Sequence, residues 1–303
     1  MLEVVIFLYQ YADAFALLAL SAIGLIVIFG MMGIINMAHG ELMMIGAFGT
    51  AYAFQAGLPV PLAILAGGLA ATAVGLILER TIIRFLYGRL LYSLVATWGI
   101  SLILSQGALI LLGPSTQGVR ADYGNFSVGG LSFSNYRLIL FVIALLMIAA
   151  LYTLFRFTRF GVQARATMSN AEMARALGTR TNSIYMATFG LGSFLAGLSG
   201  GLFSLTAPVQ PTFGAAYTPI AFIVVVVAGS RNIFVGLVLS VLILAFIKTV
   251  FTINVNILTG YVAMLLAALL VLRATPNGLS DRFLQMMWKF NRITEVGKSA
   301  KGT

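Results

Sequence analysis

Apolar runs long enough to cross a membrane follow one another along most of this sequence, with short polar gaps between them. A helix that rises 1.5 Å per residue needs about 20 residues to cross about 30 Å of hydrocarbon. By that measure the runs predict nine spans, at roughly residues 11–33, 42–56, 60–79, 91–112, 136–155, 184–206, 216–231, 233–251 and 257–273. The second and seventh are short enough to be half-helices or re-entrant segments, so eight spans remain an alternative. The predicted fold class is all-α, a polytopic transmembrane helical bundle of about eight to nine spans with broken or re-entrant helices.

Composition supports this prediction, because 60% of the 303 residues are hydrophobic and only 9% are charged. An ordinary soluble domain has about 25% charged residues, so the abundant apolar surface has to face lipid. No linker interrupts the apolar pattern before the end of the chain. We therefore predict one transmembrane domain over residues 1–283, followed by a polar, basic cytoplasmic tail at residues 284–303.

The basic residues, which give the chain a net charge of +10, lie in the gaps between apolar runs rather than along one stripe. This distribution argues against nucleic-acid binding and predicts topology instead, since short cytoplasmic loops are rich in Lys and Arg. The residues placed in the cytoplasm are Arg80, Arg84, Arg89, Arg156, Arg159, Arg165, Arg175, Arg180, Arg231, Arg273, Arg282, Lys289, Arg292, Lys298 and Lys301.

The other loops follow from this orientation. Residues 113–135, where Arg120 is balanced by Asp122, then lie outside, and so does the acidic N-terminus. Met1 to Gln10 lacks the basic residues of a cleaved signal peptide, so we predict that the first span is retained.

Few side chains are suited to catalysis or metal binding. The chain has no cysteine and a single histidine, His39, which excludes a Cys-based or His-based zinc site. Gly297-Lys298-Ser299 resembles the end of a phosphate-binding loop, but Arg292 stands where the first glycine belongs and no strand is predicted before it. An intramembrane enzyme is disfavoured because no nucleophile and base stand at a recognisable spacing. We expect no cofactor on this chain and no ATP hydrolysis by it.

One polar segment, Asn36-Met-Ala-His-Gly-Glu41, interrupts two apolar stretches. A charge at the centre of a bilayer costs about 2.5–3.5 kcal/mol on insertion scales, so Glu41 needs a partner, a proton, a cavity or a place near the interface. Gly40 permits irregular backbone, and the ends of broken helices offer free N–H and C=O groups. The segment is therefore either part of a polar pathway or a cytoplasmic turn in which Glu41 caps the second helix.

The basic loop at residues 157–182 contains a second candidate segment, Ser169 to Gly178. Ser169 or Asn170 can cap a short helix, Glu172 suits its first turn, and Gly178 can end it. A short helix on a cytoplasmic loop can dock in a groove of a partner protein. The alternative is an interfacial helix that rests on anionic lipid headgroups.

Two spans carry small or polar residues at helical spacing. Thr97 and Ser101 share one face of the fourth span and either line a pathway or bond to another helix, which is the commoner role. In the sixth span, Ser193, Gly197 and Gly201 repeat every four residues and predict close helix packing, either within this subunit or across a dimer face. Lys248 lies near the external end of the eighth span and can reach the interface, so no function is assigned to it.

Four stretches of the sequence resemble a known family. The first is Gly33-Ile-Ile-Asn-Met-Ala-His-Gly-Glu-Leu-Met-Met-Ile-Gly-Ala-Phe48. The others are Leu86–Arg89 followed by Ala96–Ser101, Arg165–Gly178, and Thr188–Ser193 followed by Ala196–Gly201. In order and over most of the chain, these stretches resemble the permease subunits of the branched-chain amino acid and urea group of ABC importers.

This resemblance implies a multi-pass subunit in a bacterial inner membrane, with a periplasmic N-terminus and a cytoplasmic C-terminus. Its implied partners are a second, homologous permease subunit, two cytoplasmic ATPase subunits that bind ATP and Mg²⁺, and a periplasmic substrate-binding protein. Glu172, Ala174 and Gly178 are similar to the Glu-Ala-Ala-x3-Gly pattern by which importer permeases contact their ATPases, although Met173 replaces the first alanine. The resemblance also implies a substrate pathway formed by Asn36, His39, Gly40 and Glu41, with Thr97 and Trp98 as weaker candidates.

The expected substrate is a small polar solute. The Asn36–Glu41 and Ala96–Ser101 runs look closest to urea and short-chain amide permeases, whereas Ala228–Phe234 departs from the Gly-Gly-x-Gly turn usual in relatives. The expected substrates are therefore urea, short-chain amides and branched-chain amino acids, with another small amide, amino acid or organic acid as the alternative. A self-contained channel or secondary transporter is the alternative function.

Overall fold

The computed structural model describes residues 2–119, 121, 123–229, 231–276 and 278–285. Its helices are α1 (Leu2–Met32), α2 (His39–Gln55), α3 (Val60–Thr81), α4 (Leu90–Leu112), α5 (Asn135–Phe157), α6 (Arg159–Ser169), α7 (Ala171–Ala176), α8 (Thr181–Phe203), α9 (Phe213–Ala228), α10 (Ile233–Asn254) and α11 (Ile257–Ala274). A 3₁₀ turn at Ile83–Phe85 follows α3, and two strands, β1 (Asn125–Val128) and β2 (Leu131–Ser134), lie between α4 and α5.

The predicted helical bundle is confirmed, because each of the nine apolar runs corresponds to one of these helices. Among the described residues, α1, α3, α4, α5, α8, α10 and α11 are long and apolar enough to span a membrane. The two runs predicted to be short are short, since α2 has 17 residues and α9 has 16.

One predicted helix boundary differs from the structure. The predicted start of the first span at residue 11 is wrong, because α1 begins at Leu2 and continues through Gln10 and Asp13. Polar side chains near the end of a span can reach the interface, so they do not end a helix. The basic residues Lys289, Arg292, Lys298 and Lys301, like Arg120 and Asp122, lie outside the described residues.

Helix α1 forms the centre of the bundle. It has 31 residues, which correspond to about 46 Å at 1.5 Å per residue. Of its apolar 18-residue stretch, 89% is buried inside the bundle. Its principal neighbours are α5, α8, α9 and α10. A helix that is hydrophobic on all sides packs in a core, so the other helices are arranged around α1.

Close contacts between small residues join α2, α3 and α8. Gly197 packs against Gly46 of α2 and against Gly67 and Gly68 of α3. Elsewhere on the α8 stripe, Ser193 lies against Gly75 and Gly201 against Thr50. Small residues let helix backbones approach closely in lipid. The Ser193, Gly197 and Gly201 stripe therefore packs inside this chain.

A β-hairpin covers the bundle at the end where α1 begins. Strands β1 and β2 pair in antiparallel register from Asn125↔Ser134 to Val128↔Leu131. Gly129 and Gly130 form the two-residue turn, and both have positive φ, which is typical of this tight hairpin type. The hairpin is fixed to α1 because the Tyr9 hydroxyl accepts from the Ser134 N–H at 3.0 Å and donates to its carbonyl at 3.2 Å.

Candidate functional site

The segment between α1 and α2, residues 33–38, runs back into the bundle. After α1 ends at Met32, Gly33 takes a positive φ of 62°, and helical structure resumes at His39. The His39 ring Nε2 lies 2.9 Å from the carbonyl oxygen of Ser21. Ser21 precedes the end of α1 by 11 residues, or about 16 Å along the axis. Helix α2 therefore begins beside the middle part of α1.

The polar residues of this segment are buried rather than exposed in a turn. The exposed fraction is 1% for Asn36, 0% for His39 and 5% for Glu41. Irregular backbone at membrane depth is tolerated only where protein or an aqueous cavity surrounds it. Here protein surrounds it, because α4 supplies hydrogen-bonding partners.

Side chains of α4 bond to the irregular backbone. The Met37 N–H donates to Thr97 Oγ1 at 2.9 Å, and the Ile35 N–H donates to Ser93 Oγ at 3.3 Å. The Asn36 side-chain carbonyl accepts from the Ala38 N–H at 3.1 Å. These bonds satisfy backbone groups that have no helical partner.

Three buried side-chain atoms in this region have no hydrogen-bond partner among the described residues: Asn36 Nδ2, His39 Nδ1 and Glu41 Oε2. The Ser101 hydroxyl of α4 lies beside the Glu41 carboxyl. Because buried polar groups are nearly always hydrogen-bonded, unpaired atoms on three residues of one short segment point to a functional role for that segment.

The first turns of α2 and α9 meet at this position. The backbone of Gly40 lies so close to Gly214 and Thr218 that a Cβ on Gly40 would collide with both. Neither helix has a side-chain hydrogen bond from its N-cap residue, which is Ala38 for α2 and Thr212 for α9. Helix N-termini carry free N–H groups and partial positive charge, so this junction favours a carboxylate or another electronegative group.

The two weaker pathway candidates differ in position. Thr97 is fully buried against residues 35–37, whereas Trp98 is 56% exposed on the outer face of α4. The structure brings Thr97 to the Asn36–Glu41 segment and leaves Trp98 away from it.

The basic loop folds into α6 and α7, and α7 has the ends that the sequence predicts. Asn170 Oδ1 accepts from the Met173 N–H at 2.9 Å. At the other end Gly178 has a φ of 89°, and its N–H and that of Thr179 bond to the carbonyls of Arg175 and Ala174. This pair of bonds is a Schellman motif, which ends a helix at glycine.

The predicted coupling residues divide by exposure. Ala174 is buried, while Glu172 and Gly178 are exposed. The apolar side chains of Met173 and Leu177 are 59% and 79% exposed and form the tip of the loop. We call the segment Ala171–Gly178 the loop tip.

Sequence reasoning missed a cluster of charges at the other end of α1. Asp13 of α1 pairs with Arg137 of α5 at 2.5 Å. Lys248, to which no function was assigned, is only 7% exposed and lies 4.7 Å from the ring centre of Tyr261. Asp13 inside an apolar run was the signal that could have drawn attention to this end.

A second missed pair joins the last turns of α3 to the loop that follows it. Glu79 is 1% exposed, and one of its carboxylate oxygens accepts a hydrogen bond from the Tyr87 hydroxyl. Burial, reinforced by the Glu79 carboxylate, raises the pKa of Tyr87, so its hydroxyl remains a donor.

At the turn after α9, Arg231 pairs with Asp281, and Gly278 packs on Gly229. Ser230 of this turn lies outside the described residues.

Comparison with known proteins identifies relatives of this chain. Residues 7–274 match the family described as "Branched-chain amino acid transport system / permease component". The branched-chain amino acid permease protein BraD of Pseudomonas aeruginosa is 29% identical over 232 residues, which cover 71% of this chain and 76% of BraD. The permease protein LivH of Escherichia coli is 27% identical over 284 residues, 87% of this chain and 91% of LivH.

An archaeal relative, the probable LivH of Methanocaldococcus jannaschii, is 27% identical over 227 residues, 72% of this chain and 71% of that protein. No solved structure matches the chain. These relatives are transport permease subunits rather than enzymes, and the particular closeness to urea permeases is not confirmed. The family match covers most of the chain, and the protein belongs to the permease component family of branched-chain amino acid transport systems.

Proposed function

We propose that this chain is the membrane subunit of an ATP-driven importer for branched-chain amino acids, with the buried Asn36–Glu41 segment as part of the substrate path. The observation that carries the proposal is the junction of α2 and α9, where two helix N-termini meet beside unpaired buried atoms of Asn36, His39 and Glu41. In transporters, broken helices place such termini against anionic groups of the substrate.

An amino acid fits this junction better than urea or an amide does. Its carboxylate carries a formal negative charge that matches the positive ends of α2 and α9, whereas urea and short-chain amides carry no formal charge. The printed names of BraD and LivH refer to branched-chain amino acids, which supports the same substrate class.

The loop tip supports coupling to a cytoplasmic ATPase. Met173 and Leu177 are exposed apolar side chains beside the exposed Glu172. A groove on an ATPase subunit would bury these two side chains, in the way that a hydrophobic groove buries the apolar face of a docked helix. A second homologous permease, two ATPase subunits that hold ATP and Mg²⁺, and a periplasmic binding protein complete the proposed importer. In the proposed orientation, which rests on the rule that short cytoplasmic loops are rich in Lys and Arg, the loop tip lies in the cytoplasm and the start of α1 in the periplasm.

Transport in proteoliposomes tests the substrate. The full importer, with its ATPases and binding protein, should take up leucine, isoleucine and valine on addition of ATP and should not take up urea or acetamide. The variants His39→Leu and Glu41→Gln should lower leucine uptake at least about tenfold, since each removes a charged or polar contact from the path. The matched control is Ser105→Ala on the exposed side of α4, which should transport normally. Equal uptake by all three variants would contradict the proposed path.

Association with the ATPases tests the loop tip. Glu172→Ala, Leu177→Ser and Gly178→Ala should each weaken co-purification of the ATPase subunits and reduce transport-coupled ATP hydrolysis. Val162→Ser is the control, because Val162 is an exposed apolar residue of α6 outside the loop tip. Unchanged association in the loop-tip variants would overturn the coupling assignment. Uptake by this chain alone, without ATP or partners, would instead identify a self-contained transporter.

A further inference from the structure

A polar cavity of about 490 Å³ lies at the end of the bundle where α1 and α5 begin and α10 ends. Its volume falls within the range of about 300–1,000 Å³ that is usual for small-molecule sites. The polar side chains that line it include Gln10, Asp13, Arg137, Lys248, Thr249 and Thr252. His39 of the Asn36–Glu41 segment contacts α1 at Ser21, eight residues or about 12 Å along the axis from Asp13, and no residue of that segment lines the cavity.

The charges in the cavity are not balanced, because two positive groups accompany one negative group. Asp13 and Arg137 form an ion pair of 2.5 Å, and Lys248 brings a second positive charge close to both of them. Within the described part of the chain, Lys248 has the ring contact with Tyr261 but no hydrogen bond and no ion pair within 4 Å, and its attraction to Asp13 is opposed by Arg137. Charged groups within a membrane protein normally pair with one another or with backbone carbonyls. Because Asp13 already pairs with Arg137, one positive charge of the three groups is left unbalanced, and this indicates a place for an anionic group.

The wall of the cavity also holds unpaired hydrogen-bonding atoms. Gln10 Oε1, Thr249 Oγ1 and Thr252 Oγ1 are buried without a partner in the described structure, and Thr249 is only 1% exposed. Because these atoms are not accessible from the cavity, a ligand there meets the charged groups Asp13, Arg137 and Lys248 instead.

We propose that this cavity binds the charged backbone of a free amino acid. The carboxylate lies against Lys248, and the ammonium group lies against Asp13. In this arrangement the carboxylate supplies an ion-pair partner for Lys248, and the ammonium group shares Asp13 with Arg137. The proposal rests on the proposed function and adds a binding site for that substrate class at the end of the bundle where α1 begins, apart from the α2–α9 junction beside the middle of α1.

The headgroup of phosphatidylethanolamine carries the same two charges, so the experiment has to separate lipid from free amino acid. The importer complex, without binding protein and without ATP, is placed in nanodiscs of phosphatidylcholine and titrated with leucine, leucinamide and 4-methylpentanoate. Leucinamide lacks the carboxylate and 4-methylpentanoate lacks the ammonium group. We expect leucine to bind at least about tenfold more tightly than either analogue. Addition of phosphatidylethanolamine to the nanodiscs should leave its affinity within about twofold of that value.

Three variants locate the binding. Lys248→Met should weaken leucine binding at least about tenfold and abolish the preference for leucine over leucinamide. Asp13→Asn should abolish the preference for leucine over 4-methylpentanoate. Arg273→Gln, which removes an exposed positive charge at the far end of α11, should bind all three ligands as the unaltered complex does. A change in preference, unlike a loss of all binding, is not produced by misfolding.

Several outcomes would overturn this site. They are absence of leucine binding, equal binding of leucine by the Lys248→Met variant, and displacement of leucine by phosphatidylethanolamine. Uptake of leucine by the complete importer is measured on the same preparations. If uptake is normal and the cavity variants bind as the unaltered complex does, the cavity assignment alone is wrong. If the complete importer takes up no branched-chain amino acid, the proposed function is wrong.

Discussion

At the scale of single residues, Thr97 connects α4 to the irregular segment after α1. Its hydroxyl accepts from the Met37 N–H at 2.9 Å and donates to carbonyl groups that include Ser93 O at 2.7 Å. In an apolar environment no water replaces such a bond. The stability of the segment therefore depends on a few named hydroxyl groups.

Replacing Thr97 by Val removes the hydroxyl with little change in shape. The Met37 N–H then loses its acceptor, and we expect a loss of about 1–3 kcal/mol in the free energy of unfolding. Thermal unfolding of the purified chain in detergent measures the loss. The comparison is Ser105→Ala, whose hydroxyl bonds to Leu102 O on the exposed side of α4. An equal melting temperature for both variants would show that the Thr97 bond does not stabilise the segment.

A substitution at Gly40 tests the close packing of α2 against α9. A methyl group at Gly40 would collide with the Gly214 backbone and Thr218 Oγ1, and overpacking of this kind typically costs about 1–3 kcal/mol. We expect Gly40→Ala to lower the melting temperature and to reduce leucine uptake. Gly99→Ala is the matched control, because nothing lies within 4 Å of its added Cβ. In a helix interior, alanine is favoured over glycine by up to about 1 kcal/mol, so the control should be neutral or stabilising.

At the scale of elements, α7 is a short helix whose stability depends on its ends. Asn170→Ala removes the side-chain acceptor for the Met173 N–H and should cost about 0.5–2 kcal/mol of local stability. Hydrogen–deuterium exchange should then quicken for the amides of Ala171–Ala176 and stay unchanged in α10. Asn182→Ala in α8 is the control, since the Asn182 side chain is exposed and makes no hydrogen bond in the described structure. Equal exchange in α7 of the two variants would exclude a role for the Asn170 cap.

Elements were more predictable from the sequence than their mutual positions. Run length alone located the helices, and the short runs indicated α2 and α9, because lipid requires a minimum helix length. The polar Asn36–Glu41 segment stood out for its energetic cost. Its burial against α4 was not predictable, because that contact joins residues about 60 positions apart. The cavity was missed for the same reason, since Asp13 and Arg137 are separated by 124 positions.

At the scale of the whole molecule, the orientation in the membrane is a prediction from the basic loops. The natural sequence has no cysteine, so single-cysteine variants report orientation without background. Ser115→Cys lies in the loop after α4, and Met173→Cys lies in the loop tip. A membrane-impermeant maleimide added to intact spheroplasts should label Ser115→Cys, and should label Met173→Cys only after lysis. The reverse pattern would invert the orientation, and with it the coupling assignment of the loop tip.

The central position of α1 has a consequence for the synthesis of the protein. Helix α1 leaves the ribosome first, yet its neighbours α8, α9 and α10 end between residues 203 and 254. At about 5–20 residues per second, α1 waits roughly 10–45 s for the last of them. During that time lipid has to solvate the surface that later becomes the core, and its strongly apolar sequence allows this. A polar substitution on α1 would therefore impair insertion before it could impair folding.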